Sequence, residues 1–138
     1  MCASLRRASR SLTQLYEDAL RPTGIRSTQF TLLQTLSRVG EISQGRLGQI
    51  LAIDSTTLTR SLAIMEREGW ITERLGTDRR ERLLRLSKTG RAKFQSAVPA
   101  WEKAQAQLLG QLGTEQWENL LALAAQVTLH ATKQGDMS

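Results

Sequence analysis

The segment Asp54-Ser-Thr-Thr-Leu-Thr-Arg-Ser-Leu-Ala-Ile-Met-Glu-Arg-Glu-Gly69, followed nine residues on by Asp78-Arg-Arg-Glu-Arg82, decides how this chain folds. Asp54 suits a helix N-cap, because its carboxylate can accept the free amides of a first turn. Leu58, Leu62 and Met65 then recur at helical spacing as a buried stripe, and Gly69 supplies the stop. The early turns also carry hydroxyls and one arginine, Arg60. Residues 70–74 and 82–86 read as two short strands, with a polar turn at 75–81 between them. Such a helix joined to a basic hairpin suits the major groove of duplex DNA and the minor groove beside it.

Working outward, Ser43 caps a short helix with Leu47, Ile50 and Leu51 expected inward, and Ala52-Ile53-Asp54 forms a tight turn. Two short helices joined in this way make a helix-turn-helix, and the hairpin adds a wing. Upstream, a helix from about Ser27 to Arg38 buries Phe30, Leu33 and Leu36, and Ile42 is a candidate one-residue strand. The first helix aligns Leu5, Ala8, Leu12, Leu15, Tyr16 and Ala19 and ends at Pro22-Thr-Gly24. Downstream, Ser87 or Thr89 caps a long helix striped with Phe94, Val98, Trp101, Ala104, Leu108 and Leu109. Pro99 lies inside it, which predicts a kink or a break near Val98. Gly113-Thr114 separates a last helix carrying Trp117, Leu120, Leu121, Ala124 and Val127.

The expected fold is therefore mainly α with a small β-hairpin wing (α+β), a winged helix-turn-helix with N- and C-terminal dimerisation helices. Residues 1–138 are expected to form a single domain, with 27–90 the winged segment and 1–22 and 91–133 the dimerisation helices. The apolar faces of those flanking helices exceed what a domain this small needs for its own core. A two-fold homodimer is their simplest use. It would set two recognition helices about 34 Å apart, on successive major grooves of a palindromic operator.

Charge agrees with that partner. The formal net charge is +6, and the stretch from Arg60 to Lys93 holds ten Arg or Lys against five acids, so +5 of it sits in a quarter of the chain. Clustered positive charge of this kind is the footprint of a phosphate backbone. The low aromatic content, 4%, argues against a base-stacking platform. The single cysteine, Cys2, excludes an internal disulfide, and with the single histidine, His130, it cannot supply a zinc set. No signal-peptide core and no apolar run of spanning length is present, so a cytoplasmic location and no membrane partner are expected. No Gly-rich phosphate loop, His-Glu metal pair or nucleophile elbow occurs, so no catalytic residue, cofactor or enzyme activity is expected.

The recognition-helix pattern, with Leu62, Glu66, Gly69 and Trp70-Ile71, continues into Asp78-x-Arg80-x5-Leu86-Ser-x-x-Gly90. It resembles the MarR family of bacterial winged-helix transcriptional regulators over nearly the whole chain. The resemblance implies a homodimer that regulates promoters, repression being the default, with a small-molecule effector or oxidant relieving DNA binding. By position it puts Ser55, Thr56, Thr57, Thr59 and Arg60 at the major groove and Arg80 in the minor groove. Arg79 and Arg82 would add phosphate or wing contacts, and Ser43 joins the candidate DNA-binding set. Asp78 would orient the wing through an arginine partner. Chemistry concurs: first-turn hydroxyls can bond phosphate or groove acceptors, and Arg60 can bond guanine in a bidentate manner. For Thr57, helix capping and base contact stand as equal alternatives.

A narrower likeness concerns organic-peroxide sensors of the same family, in which a cysteine opens the first helix and a tyrosine follows fourteen residues later. Cys2 and Tyr16 reproduce that spacing, although Arg6 and Ser27 stand where that subgroup's other tyrosines would be. Fourteen residues of helix span roughly 21 Å, so contact between the two would need the partner subunit. A redox-sensing repressor using Cys2 is thus one alternative function, an inert Cys2 being the plainer reading. A helical protein-interaction dimer that does not bind DNA is another. Tyr16, Trp70 and Trp101 are candidates to line an effector pocket, with core packing as the competing role.

Overall fold

The computed structural model describes residues 1–78 and 80–136, with side chains through residue 132 apart from Arg79. The chain falls into two compact units, Met1–Trp101 and Glu102–Ser138. In chain order the elements are α1 (Cys2–Leu20), a 3-10 turn (Arg21–Thr23), α2 (Ser27–Val39), β1 (Glu41–Ser43), α3 (Gln44–Leu51) and α4 (Ser55–Arg67). They continue with β2 (Ile71–Leu75), β3 (Arg82–Leu86), α5 (Lys88–Leu112) and α6 (Thr114–Asp136). The fold is mainly α with a small antiparallel sheet, a winged helix-turn-helix.

Hydrophobic periodicity builds the first unit. Leu32, Leu33 and Leu36 of α2, Leu47 of α3, and Leu58, Leu62 and Met65 of α4 are buried together with Ile71, Leu84 and Leu86 of the sheet. Burying each such side chain contributes about 1.5–3 kcal/mol against the entropy of ordering the chain. Phe30 anchors an aromatic group, its ring 5.3 Å from both Phe94 and Trp101. Where α1 meets α2, the Glu17 carboxylate accepts the Ser27 N–H at 2.7 Å, capping α2 from another helix.

Two expectations are corrected and a third is narrowed. Ile42 is not an isolated strand residue: Glu41–Ser43 pairs with β3, with Ile42 opposite Leu84, so the wing hairpin gains a third strand in the order β1-β3-β2. A three-residue strand is too short to leave a clear alternation in sequence. Ile50 is 51% exposed rather than inward, because the eight-residue α3 seals its core with Leu47 and half-buries Leu51. Of the kink or break expected near Val98, the break does not occur: α5 runs through Pro99 to Leu112. The proline removes one backbone donor there, a local loss that a helix of 25 residues tolerates.

Candidate nucleic-acid interface

The turn between α3 and α4 is set by local chemistry. The Ser43 hydroxyl accepts the Arg46 N–H at 3.2 Å and so caps α3. Ala52 then takes a left-handed conformation, φ 53°, reversing the chain toward Asp54. A Cβ on Gly48 would lie 3.2 Å from Leu58 Cδ2, so the missing side chain lets α3 and α4 approach closely. At the start of α4 the Asp54 carboxylate accepts the Thr57 N–H at 2.8 Å and the Thr57 hydroxyl at 2.7 Å.

Those two bonds, the backbone amide first, hold the Asp54 carboxyl below its ordinary range. A group whose folded pKa is depressed stabilises the fold above its unfolded pKa, near 4, and loses that contribution as pH falls through the lower folded value. Asp54→Ala is therefore expected to lower the melting temperature by a few degrees at pH 7. Asp54→Asn, itself a good N-cap, should retain most of it. Thermal melts from pH 7 down to pH 3 check the sign, since the gap between wild type and the Asn variant should close as the pH drops.

Ser55, Thr56, Thr57, Thr59 and Arg60 are all exposed, while Leu58 between them is buried. Their hydroxyls are not equivalent. The Thr57 hydroxyl is committed to the Asp54 cap. Thr59 Oγ1 accepts a hydrogen bond from Gln44 Nε2 at 3.2 Å. Ser55, Thr56, Thr59 and Arg60, with Ala63, line an open cleft of about 430 Å³ along α4.

The wing lies beside this face. Asp78 Oδ1 accepts the Arg80 backbone N–H at 3.1 Å, and Glu81 N–H returns to the Asp78 carbonyl at 2.9 Å. Asp78 thus shapes the wing turn through the backbone, and it has no arginine side-chain partner among the described residues. Arg80 is exposed at the tip. Arg82 pairs with Glu73 across the hairpin at 3.1 Å and remains 59% exposed. Arg79 lies outside the described residues. A cleft of about 870 Å³ brings Ser43 at the end of β1, Gln44 of α3 and Ser55 of α4 to Asp78, Arg80 and Arg82 of the wing.

Two supporting groups were not anticipated from sequence. Glu41 on β1 makes a bidentate ion pair with Arg74 on β2, at 2.6 and 2.9 Å, so the outer strands are tied across β3. Gln44 is the other. Residues 33 apart and 15 apart in polar stretches leave no periodic trace.

The remaining candidates fall elsewhere. Cys2 is exposed at the first residue of α1, and Tyr16 is half-buried four turns later. Tyr16 stacks on Trp101 with ring centroids 6.3 Å apart, and burial raises its hydroxyl pKa. Trp70 is 7% exposed, with the Lys93 ammonium 5.8 Å from its ring centre. Tyr16, Trp70 and Trp101 line neither these two clefts nor a third beside Glu17, and all three pack on the core. Among the described residues no cluster of three His, Cys, Asp or Glu could hold a metal ion. No described helix is long and apolar enough to cross a membrane.

Comparison with known proteins places this geometry in a family. The MarR family model matches residues 25–81, which run from the start of α2 through the tip of the wing. The uncharacterised HTH-type transcriptional regulator YwoH of Bacillus subtilis is 27% identical over 114 residues, 83% of each chain. The organic hydroperoxide resistance transcriptional regulator of the same organism is 32% identical over 99 residues, covering 71% of this chain and 67% of its own. The crystal structure of the Mycobacterium tuberculosis transcriptional regulator MosR in complex with DNA superposes with a TM-score of 0.80 at 34% identity, over 94% of this chain and 96% of that one. With a winged helix-turn-helix, a family model over its centre and relatives of this similarity, the chain belongs to the MarR family of transcriptional regulators.

Proposed function

We propose that the chain binds a palindromic double-stranded DNA operator in the cytoplasm as a homodimer, and represses transcription until a small-molecule effector or oxidant releases it. The observation that carries this reading is the pair of clefts in which the exposed Ser55, Thr56, Thr59 and Arg60 face of α4 lies beside a wing carrying Arg80. A helix start of that polarity fits the major groove, while an arginine on a narrow wing fits the minor groove, where potential is most negative over A·T tracts. Residues 27–90 would do the reading. The segments 1–22 and 91–133 would supply dimer contacts, a role supported by exposed apolar side chains such as Leu5, Leu120, Leu121 and Leu129. The complex of MosR with DNA adds support by relationship.

Fluorescence anisotropy on DNA from upstream of the protein's own gene, at several salt concentrations, tests this. Binding through several phosphate contacts should weaken steeply, with log K falling linearly against log salt. Affinity independent of salt would contradict it.

A second reading, that the signal is an oxidant, draws on exposed Cys2 at the head of α1 and on the relative named for organic hydroperoxide resistance. Cumene hydroperoxide should then release DNA from wild type and leave Cys2→Ser bound. Equal release from both would reject it.

A further inference from the structure

Several helical threonines in this chain return their hydroxyl proton to the carbonyl four residues back. Thr13, Thr31, Thr35 and Thr128 do so at 2.9–3.1 Å. Such a bond spends the donor on the helix itself. Thr59 differs. Among the described residues its hydroxyl makes no bond to the Ser55 carbonyl, and its oxygen accepts from Gln44 Nε2 at 3.2 Å instead. Gln44 opens α3 and is half-buried, so the amide is held on a neighbouring element rather than on α4. A hydroxyl that accepts on one side carries its hydrogen away from that side, and accepting one bond strengthens its own donation. Thr59 also faces the open cleft along α4 with Ser55, Thr56 and Arg60.

We propose, resting on the DNA-reading function above, that Gln44 is a positioning residue for base selection. It keeps the Thr59 hydroxyl hydrogen off the helix and available to DNA, so this step of α4 favours a base-edge acceptor over cytosine. Guanine offers N7 and O6, adenine N7 and thymine O4 in the major groove, whereas cytosine offers only its N4 amino donor. An outward hydroxyl hydrogen therefore meets an acceptor on three bases, whereas cytosine can engage only the one lone pair that Gln44 leaves free. One neutral hydrogen bond corresponds to a preference of roughly threefold to tenfold.

Selection from a randomised duplex library, with the full-length chain and its variants sequenced in parallel, tests the assignment. Wild type should show one position in each half-site where cytosine is depleted by about that factor. Thr59→Val, which keeps the shape and removes the hydroxyl, should erase the depletion. Gln44→Ala should also erase it, because the freed hydroxyl can turn to the Ser55 carbonyl. Gln44→Glu should reverse it: the carboxylate accepts the Thr59 proton, leaves only lone pairs outward and favours the amino donors of cytosine or adenine. A uniform loss of affinity from the added charge would leave the base profile intact, so charge and positioning separate. If Gln44→Ala and Gln44→Glu keep the wild-type profile, or Thr59→Val does, the positioning role is overturned. If wild type enriches no sequence at all, the DNA-reading function itself fails.

Discussion

Gly90→Ala should lower the melting temperature by roughly 10 °C, a loss of about 3 kcal/mol or more. A Cβ built on Gly90 falls on the Trp70 carbonyl oxygen and lies 2.7 Å from the carbonyl carbon. The obstacle is backbone, not a side chain that can swing aside. The same carbonyl accepts the Ser87 N–H at 3.0 Å, while the Ser87 hydroxyl donates to the Gly69 carbonyl and accepts the Gly90 N–H at 2.9 Å. The Leu86-Ser-x-x-Gly90 pattern therefore has a physical meaning. It caps α5 and clamps the start of that helix onto the chain leaving α4. Moving the Trp70 backbone would disturb both the core beneath it and the first pairing of β2. Thermal melts of Gly90→Ala beside Thr89→Ala, an exposed neighbour, check this. Equal melting temperatures would show that the approach carries no stability.

Arg60→Ala should reduce operator affinity roughly 5- to 100-fold and relax the preference at one base pair, with little change in melting temperature. Arg60 is exposed on α4, and among the described residues it makes no ion pair, so its guanidinium stands available to a guanine edge. Arg80→Ala should act differently. It is expected to weaken binding most on A·T-rich flanks and to reduce the salt slope by about one, because a wing arginine reads groove shape and phosphate charge. Anisotropy titrations on operators with changed core or changed flanks distinguish the two. Arg82 has a partner in Glu73, which reduces its claim to a DNA contact, and its alanine variant should be the mildest of the three.

Much of this was legible in the sequence because the deciding signals are local. Asp54 and Ser43 sit where caps belong, and Leu58, Leu62 and Met65 repeat at helical spacing. The two wing strands are set off by a polar, charged turn. What sequence could not supply were pairings between distant polar residues, which have no period. The Glu41–Arg74 ion pair, the Gln44–Thr59 bond and the third strand at Glu41–Ser43 all belong to that class. The Thr57 alternatives, evenly balanced on chemistry alone, divide only once its hydroxyl is seen on Asp54. Aromatic residues are ambiguous for another reason. Tyr16 and Trp101 could line a pocket or fill one, and their mutual stacking is a contact that no periodicity announces.

In the proposed function, two copies of α4 and the wing read one stretch of duplex DNA. Hydroxyl-radical and methylation footprinting on a selected operator tests it most directly. Two major-groove protections are expected, centred about 10 bp apart or a multiple of that, each flanked by a minor-groove protection that disappears in Arg80→Ala. A single protected patch without two-fold symmetry, or flanking protection unchanged by Arg80→Ala, would contradict it.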